Sequence, residues 1–124
     1  KILAVTVLTS FDDQGWQEVG GHLPIQEHVL ELASLAKSSG VDGVVASPKE
    51  AGSIREMAGK DDFLIVTPGI RPSFAQTDDQ KRIATPSQAF KDGSSMLVIG
   101  RPITQAIDPC AAARLILKEI KENA

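Results

Sequence analysis

The chain alternates short, unbroken apolar runs with longer stretches in which apolar residues recur every three or four positions. The runs are residues 2–9, 43–46, 63–67 and 96–99. Continuous Val/Ile/Leu runs suit strands buried on both faces, as in parallel sheets. Between the first two runs, Ile25, Val29, Leu32, Ala33 and Ala36 fall on one helical face over residues 24–39, with Gly40 as the stop. Ser47-Pro48-Lys49-Glu50 has an N-cap serine, a proline at the first helical position and a glutamate at the third. That capping-box pattern predicts a helix to about Ala58, before Gly59. Thr85-Pro86-Ser87-Gln88 repeats the device, and Gly93 ends that helix. Asp108-Pro109 opens a last helix, in which Ala112, Leu115, Ile116 and Ile120 form an apolar face and Lys118, Glu119 and Lys121 face solvent.

The predicted order is four strand-helix pairs, which points to right-handed βαβ units and a parallel sheet. Two α/β architectures fit. One is a small open doubly wound sheet. The other is part of a (β/α)8 (TIM) barrel, whose full length is typically about 250 residues. The 124 residues here are about half of that.

Composition narrows the classes. A chain of this length, 42% hydrophobic and 23% charged, is one ordinary domain at most. A net charge of −3 without a Lys/Arg block disfavours nucleic acid and anionic membrane as main partners. One cysteine, Cys110, cannot close an internal disulfide, and with only His22 and His28 beside it a metal site is not expected. No apolar run approaches the roughly 18–20 residues of a membrane span. Residues 1–8 have the charge-then-apolar look of a signal peptide, but Thr6 interrupts the run and the β-branched residues favour a strand. A cytoplasmic, reducing setting is the expectation. A chain that opens directly in a buried-type strand is unusual for a whole domain.

Ligands of both architectures gather at the carboxyl ends of the strands. After the first run come Thr9, Ser10, Asp12 and Asp13, either ligand-binding groups or a plain turn. Ser47 after the second is accounted for as a helix cap. The third is followed by Thr67-Pro68-Gly69-Ile70-Arg71-Pro72 and a long polar loop that includes Thr77, Asp78, Asp79, Gln80 and Lys81. Long loops in compact domains often bind or cover ligands. Gly69 lets the backbone approach a ligand closely, and Arg71 can fork onto a phosphate. Gly100-Arg101-Pro102-Ile103 follows the fourth run, a glycine, an arginine and a short helical turn of the kind that barrels use to hold phosphate. P-loop, G-x-G-x-x-G and nucleophile-elbow motifs are absent. His22 and His28 are expected to be surface or packing residues, Cys110 a small packed residue, and Trp16 a plug at the end of a core or an interface.

Five ordered motifs carry a resemblance. They are Val5-Thr6-Val7-Leu8-Thr9-Ser10, Asp42-Gly43-Val44-Val45-Ala46-Ser47, Val66-Thr67-Pro68-Gly69-Ile70-Arg71-Pro72, Asp79-Gln80-Lys81-Arg82 and Ile99-Gly100-Arg101-Pro102-Ile103-Thr104. Over essentially its whole length the chain resembles the C-terminal half of bacterial orotidine 5′-monophosphate decarboxylases. The resemblance implies the second half of a single TIM-barrel domain, strands five to eight, spread over residues 1–124. It implies conversion of orotidine 5′-monophosphate to uridine 5′-monophosphate and carbon dioxide, a step of pyrimidine biosynthesis, with no cofactor or metal and with a homodimeric complete enzyme. It places Thr9 and Pro68 at the pyrimidine end of the nucleotide. Arg71, Gln80, Gly100 and Arg101 fall at its phosphate.

One part of the family pattern is missing. The Asp-x-Lys-x-x-Asp motif, whose lysine protonates C6 and whose aspartate faces the substrate carboxylate, has no counterpart here. The resemblance therefore implies a chain that begins at strand five, is inactive alone and requires its N-terminal half. The alternatives are a self-associating, non-catalytic half-barrel that binds phosphate, or another phosphate-binding barrel such as a sugar-phosphate aldolase or epimerase.

Overall fold

The computed structural model describes residues 1–22, 24–60, 62–75 and 81–123. Each apolar run contains a short strand: β1 (Leu3–Val5), β2 (Gly43–Val45), β3 (Leu64–Thr67) and β4 (Met96–Leu97). All pair in parallel, in the order β1-β2-β3-β4. A doubly wound sheet reverses its order at a switch point. This one never does, so right-handed crossovers return every helix over the same face. The helices are α1 (Asp13–Glu18), α2 (Ile25–Ser38), α3 (Pro48–Ala58), α4 (Pro86–Lys91), α5 (Arg101–Thr104) and α6 (Pro109–Glu122). α2 packs on α3, α3 on α4, and α4 on α6, a single curved layer. Of the two architectures, the barrel-type winding is the one observed.

The register explains where the core sits. Ala4, Val44 and Ile65 stand side by side on the helix-facing side. Val44 and Ile65 are fully buried there with Val29, Ala33, Ala51 and Ile54. The next row, Val5, Val45, Val66 and Met96, faces the other way. That row is also apolar, but among the described residues nothing covers it at its edges. Val5 is 60% exposed and Met96 53%. The expectation of strands buried on both faces therefore holds only on the helix side. The open side is the one that lines the interior of a closed barrel.

Helix ends follow their sequence signals, with two corrections. Ser47, Thr85 and Asp108 each accept a first-turn N–H, from Lys49 at 3.2 Å, Gln88 at 3.4 Å and Ala111 at 3.0 Å. The second half of each expected capping box is spent elsewhere. Glu50 turns its carboxylate to Arg82, and Gln88 donates to Asp92 at 2.7 Å. On α6, Ala112 and Ile116 are buried as expected, but Leu115 is half-exposed because α4 and α5 cover only one side of that helix. α1 is an addition to the predicted order, capped by Asp12, whose Oδ1 accepts the Gly15 N–H at 2.9 Å.

Candidate functional site

The carboxyl ends of the four strands lie along one rim because the sheet is parallel. Thr9, just beyond β1, is 4% exposed. After β3 the chain makes a left-handed turn at Gly69, φ +72°. A Cβ at this position would lie 3.2 Å from both the Thr9 side chain and the Arg82 carbonyl oxygen. The close approach that glycine permits is thus between segments of the protein itself. Arg71 follows, buried, with its Nη1 donating to the Ile70 carbonyl at 2.9 Å. Pro68 is half-buried beside it. The Val98 N–H donates to the Thr67 carbonyl at 3.0 Å, which holds the β4 end against the β3 end. Gly100 then caps α5, its carbonyl accepting from Ile103 and Thr104, and Arg101 is the first residue of that helix. Gln80, with Thr77, Asp78 and Asp79, lies outside the described residues.

The long loop after β3 is pinned at both ends. Residues 81–84 run back over the rim as a strap. Ala84 forms a parallel bridge with Ile70 and accepts the Arg71 N–H at 3.0 Å. The N–H groups of Lys81 and Arg82 both donate to the Thr9 carbonyl, at 3.1 and 3.3 Å. The Arg82 side chain, 7% exposed, reaches the carbonyls of Val7 and Leu8 at 3.0 and 3.2 Å and forms an ion pair with Glu50, 3% exposed, on α3. Burial pushes the Glu50 carboxyl above the usual carboxylate range, against the pull of Arg82. Burial likewise lowers Arg82, opposed by Glu50. At the strap's outer edge, Lys81 pairs with Asp12 at 3.1 Å. The Gly15 N–H, helped by Lys81, holds Asp12 below its ordinary value.

Sequence reasoning missed this strap. Nothing in Lys81-Arg82 separates the exposed cation from the buried one. Glu50, at the third position of its helix, reads as a capping residue. The partners are also 32 residues apart. An open cleft of about 470 Å³ borders the strap on its helix side, lined by Asp12, Asp13, Lys49, Glu50, Lys81 and Arg82 among others. Most of its charges already have partners within the chain. Asp13, a candidate acid in the sequence, accepts the Ile25 N–H at 3.1 Å and caps α2 in place of Pro24.

The remaining candidates fall away from the rim. Trp16 closes the end of the core, edge-on to Phe11, with its Nε1 donating to His28 Nδ1 at 3.2 Å. The His22 ring lies 5.1 Å from that of His28, so both histidines belong to this aromatic cluster. Cys110 is exposed on the first turn of α6, contrary to the packed position expected of it, whereas Ala112 two residues on is buried. No helix among the described residues is long and apolar enough to cross a membrane.

Comparison with known proteins matches this arrangement to one family. The family model described as orotidine 5′-phosphate decarboxylase / HUMPS family matches residues 1–116. Over 120 residues the chain is 60% identical to an orotidine 5′-phosphate decarboxylase of Geotalea daltonii, covering 97% of this chain and 50% of that protein. It is 55% identical to that of Geobacter sulfurreducens over the same share. The crystal structure of the Lactobacillus acidophilus decarboxylase superimposes with a TM-score of 0.76 at 51% identity, over 97% of this chain and 49% of that one. The chain spans about half the length of the curated relatives it matches, and its four βα units form half of a (β/α)8 barrel. The chain belongs to the orotidine 5′-phosphate decarboxylase / HUMPS family.

Proposed function

We propose that this chain supplies the phosphate-binding half, and part of the base pocket, of an enzyme that decarboxylates orotidine 5′-monophosphate to uridine 5′-monophosphate in pyrimidine biosynthesis. The observation that carries this reading is the 60% identity to a protein of that name across 97% of the chain. The rim supports it. Thr9, Pro68, Arg71, Gly100 and Arg101 all follow the carboxyl ends of strands; in this reading Thr9 and Pro68 meet the pyrimidine, and Arg71, Gly100 and Arg101, together with Gln80, hold the phosphate. Arginine suits the latter task because its planar fork matches a phosphate's oxygens.

In this reading residues 1–124 are the C-terminal half of one barrel domain. A complementary half covers the open row of Val5, Val45, Val66 and Met96 and carries the reacting groups. There the C6–carboxylate bond breaks, its electron pair stays on C6, carbon dioxide leaves, and a lysine ammonium delivers the proton to C6. The chain contains no Asp-x-Lys-x-x-Asp sequence to perform this step. Its contribution is binding energy at a phosphate remote from the bond that breaks, which can be used to organise the site. A homodimeric, cytoplasmic enzyme without cofactor belongs to the same proposal.

The test uses the full-length protein. It is expected to form uridine 5′-monophosphate from orotidine 5′-monophosphate, whereas the 124-residue chain alone forms none. Uridine 5′-monophosphate should raise the melting temperature of the full-length protein, and Arg101→Ala should abolish that rise. A full-length protein that forms no product, or an unchanged rise in the variant, would overturn the assignment.

A further inference from the structure

Taking the functional reading above as given, we infer that Arg82, held by Glu50, is a positioning residue that fixes the spacing between the base end and the phosphate end of the nucleotide site. The strap is the means. Thr9, at the base end, is fixed to it by two N–H bonds to its carbonyl. Arg71, at the phosphate end, is fixed to the same strap by its N–H bond to Ala84. Arg82 locks the strap to the body of the protein. Its guanidinium holds the two carbonyls that immediately precede Thr9, those of Val7 and Leu8. Its own carbonyl accepts the Ser47 hydroxyl at 3.3 Å and lies against Gly69. One residue therefore touches the ends of β1 and β3 and the turn into α3.

The choice of a buried ion pair points to geometry rather than stability. Replacing such a pair by apolar residues of similar volume is often neutral or stabilising. A guanidinium offers several donors in a rigid plane, so it can fix two carbonyls and a carboxylate at once in a set geometry; an apolar residue has no donor, and a lysine gathers its three on a single freely rotating nitrogen. A ligand that spans both ends needs both held in register, and a misplacement of about 1 Å can cost about a hundredfold. A ligand that occupies one end does not.

The experiment compares ligands in the full-length protein. The apolar double variant Glu50→Leu/Arg82→Met, which removes both charges of the pair and orphans neither, is titrated with uridine 5′-monophosphate and, separately, with inorganic phosphate. We expect the nucleotide to bind at least about tenfold more weakly while phosphate changes by less than about twofold. Arg82→Lys, which keeps the pair but loses the fork, should fall between the double variant and the wild type. Equal weakening of both ligands, or unchanged nucleotide affinity in a variant whose melting temperature alone has fallen, would reduce Arg82 to a structural residue and overturn the inference. A wild-type protein that does not bind uridine 5′-monophosphate would end the functional reading, and the inference with it.

Discussion

Two arginines brace opposite ends of the sheet, and they do so differently. Arg55, on α3, works at the amino end of β3. It donates to the carbonyls of Gly59, Phe63 and Gly93 and, at 2.9 Å, to the Ser95 hydroxyl, which itself accepts the Ile65 N–H. Each of these acceptors is a neutral oxygen, and the guanidinium stays half-exposed. Arg82 works at the carboxyl end, is buried, and needs a carboxylate. The first arrangement satisfies carbonyls at little desolvation cost. The second removes two charges from water, an expensive way to join segments. In a barrel the amino-end face contributes stability and the carboxyl-end face carries ligands. The difference between the two arginines follows that division.

Substitutions can break the division. The largest effect is expected at the phosphate end. In the full-length protein, Arg71→Ala should weaken uridine 5′-monophosphate by about a hundredfold, the upper end of what a hydrogen bond to a charged group contributes. Calorimetric titration would show it. Equal affinity in the variant would move the phosphate elsewhere. Next comes Gly69→Ala. Alanine at φ +72° costs about 1–2 kcal/mol, and its methyl would press on Thr9 and on the Arg82 carbonyl. Stability and nucleotide affinity should fall together, since the rim and the fold meet there. Arg55→Met is the opposite case. It should lower unfolding stability by about 1–3 kcal/mol, through carbonyls left without a donor, and leave nucleotide affinity within about twofold. If Arg55→Met weakened the nucleotide as strongly as Arg71→Ala does, the two ends would not be functionally separate.

How far the sequence could show this division depended on the range of the interactions. Strands, helix starts and the Gly100-Arg101 turn were legible because apolar runs, N-caps and Pro at the first helical position act within a few residues. The βαβ order was legible from the apolar pattern alone, whereas the barrel winding came only through the family resemblance. That winding is settled by which strand pairs with which, through bonds such as Ala46 to Val66. Capping boxes were half legible. The serine and threonine act locally, whereas Glu50 answers to a partner on the far side of a loop. Leu115 and Cys110 were misread because a periodic pattern marks the face that can be buried, and only neighbours decide how much of it is. At the site, Arg71 and Arg101 stood out as arginines beside glycines at strand ends. Arg82, in a polar run next to a lysine, did not.

The smallest expected effect is electrostatic, and it belongs to the carboxyl end. Glu50 and Asp12 are shifted in opposite directions within the same rim. A carboxyl raised in the folded state binds its proton more tightly there than when unfolded. Its contribution to stability therefore falls as pH rises from the ordinary carboxylate range to the raised value. A carboxyl lowered in the folded state does the reverse. The contribution of Asp12 is present above the ordinary range and is lost as pH falls through its lowered value. Arg55 bonds to carbonyls and a hydroxyl, which do not titrate there, so its bonds should add no slope of their own. Urea unfolding from about pH 2 to about pH 7, which brackets the ordinary carboxylate range on both sides, separates the contributions. Relative to wild type, Glu50→Gln should remove a decline with rising pH, and Asp12→Asn should remove a gain. Arg55→Met should shift the whole curve without changing its shape. A change of slope in the Arg55 variant, or none in the Glu50 variant, would mean that the buried pair is not where the chain stores its charge.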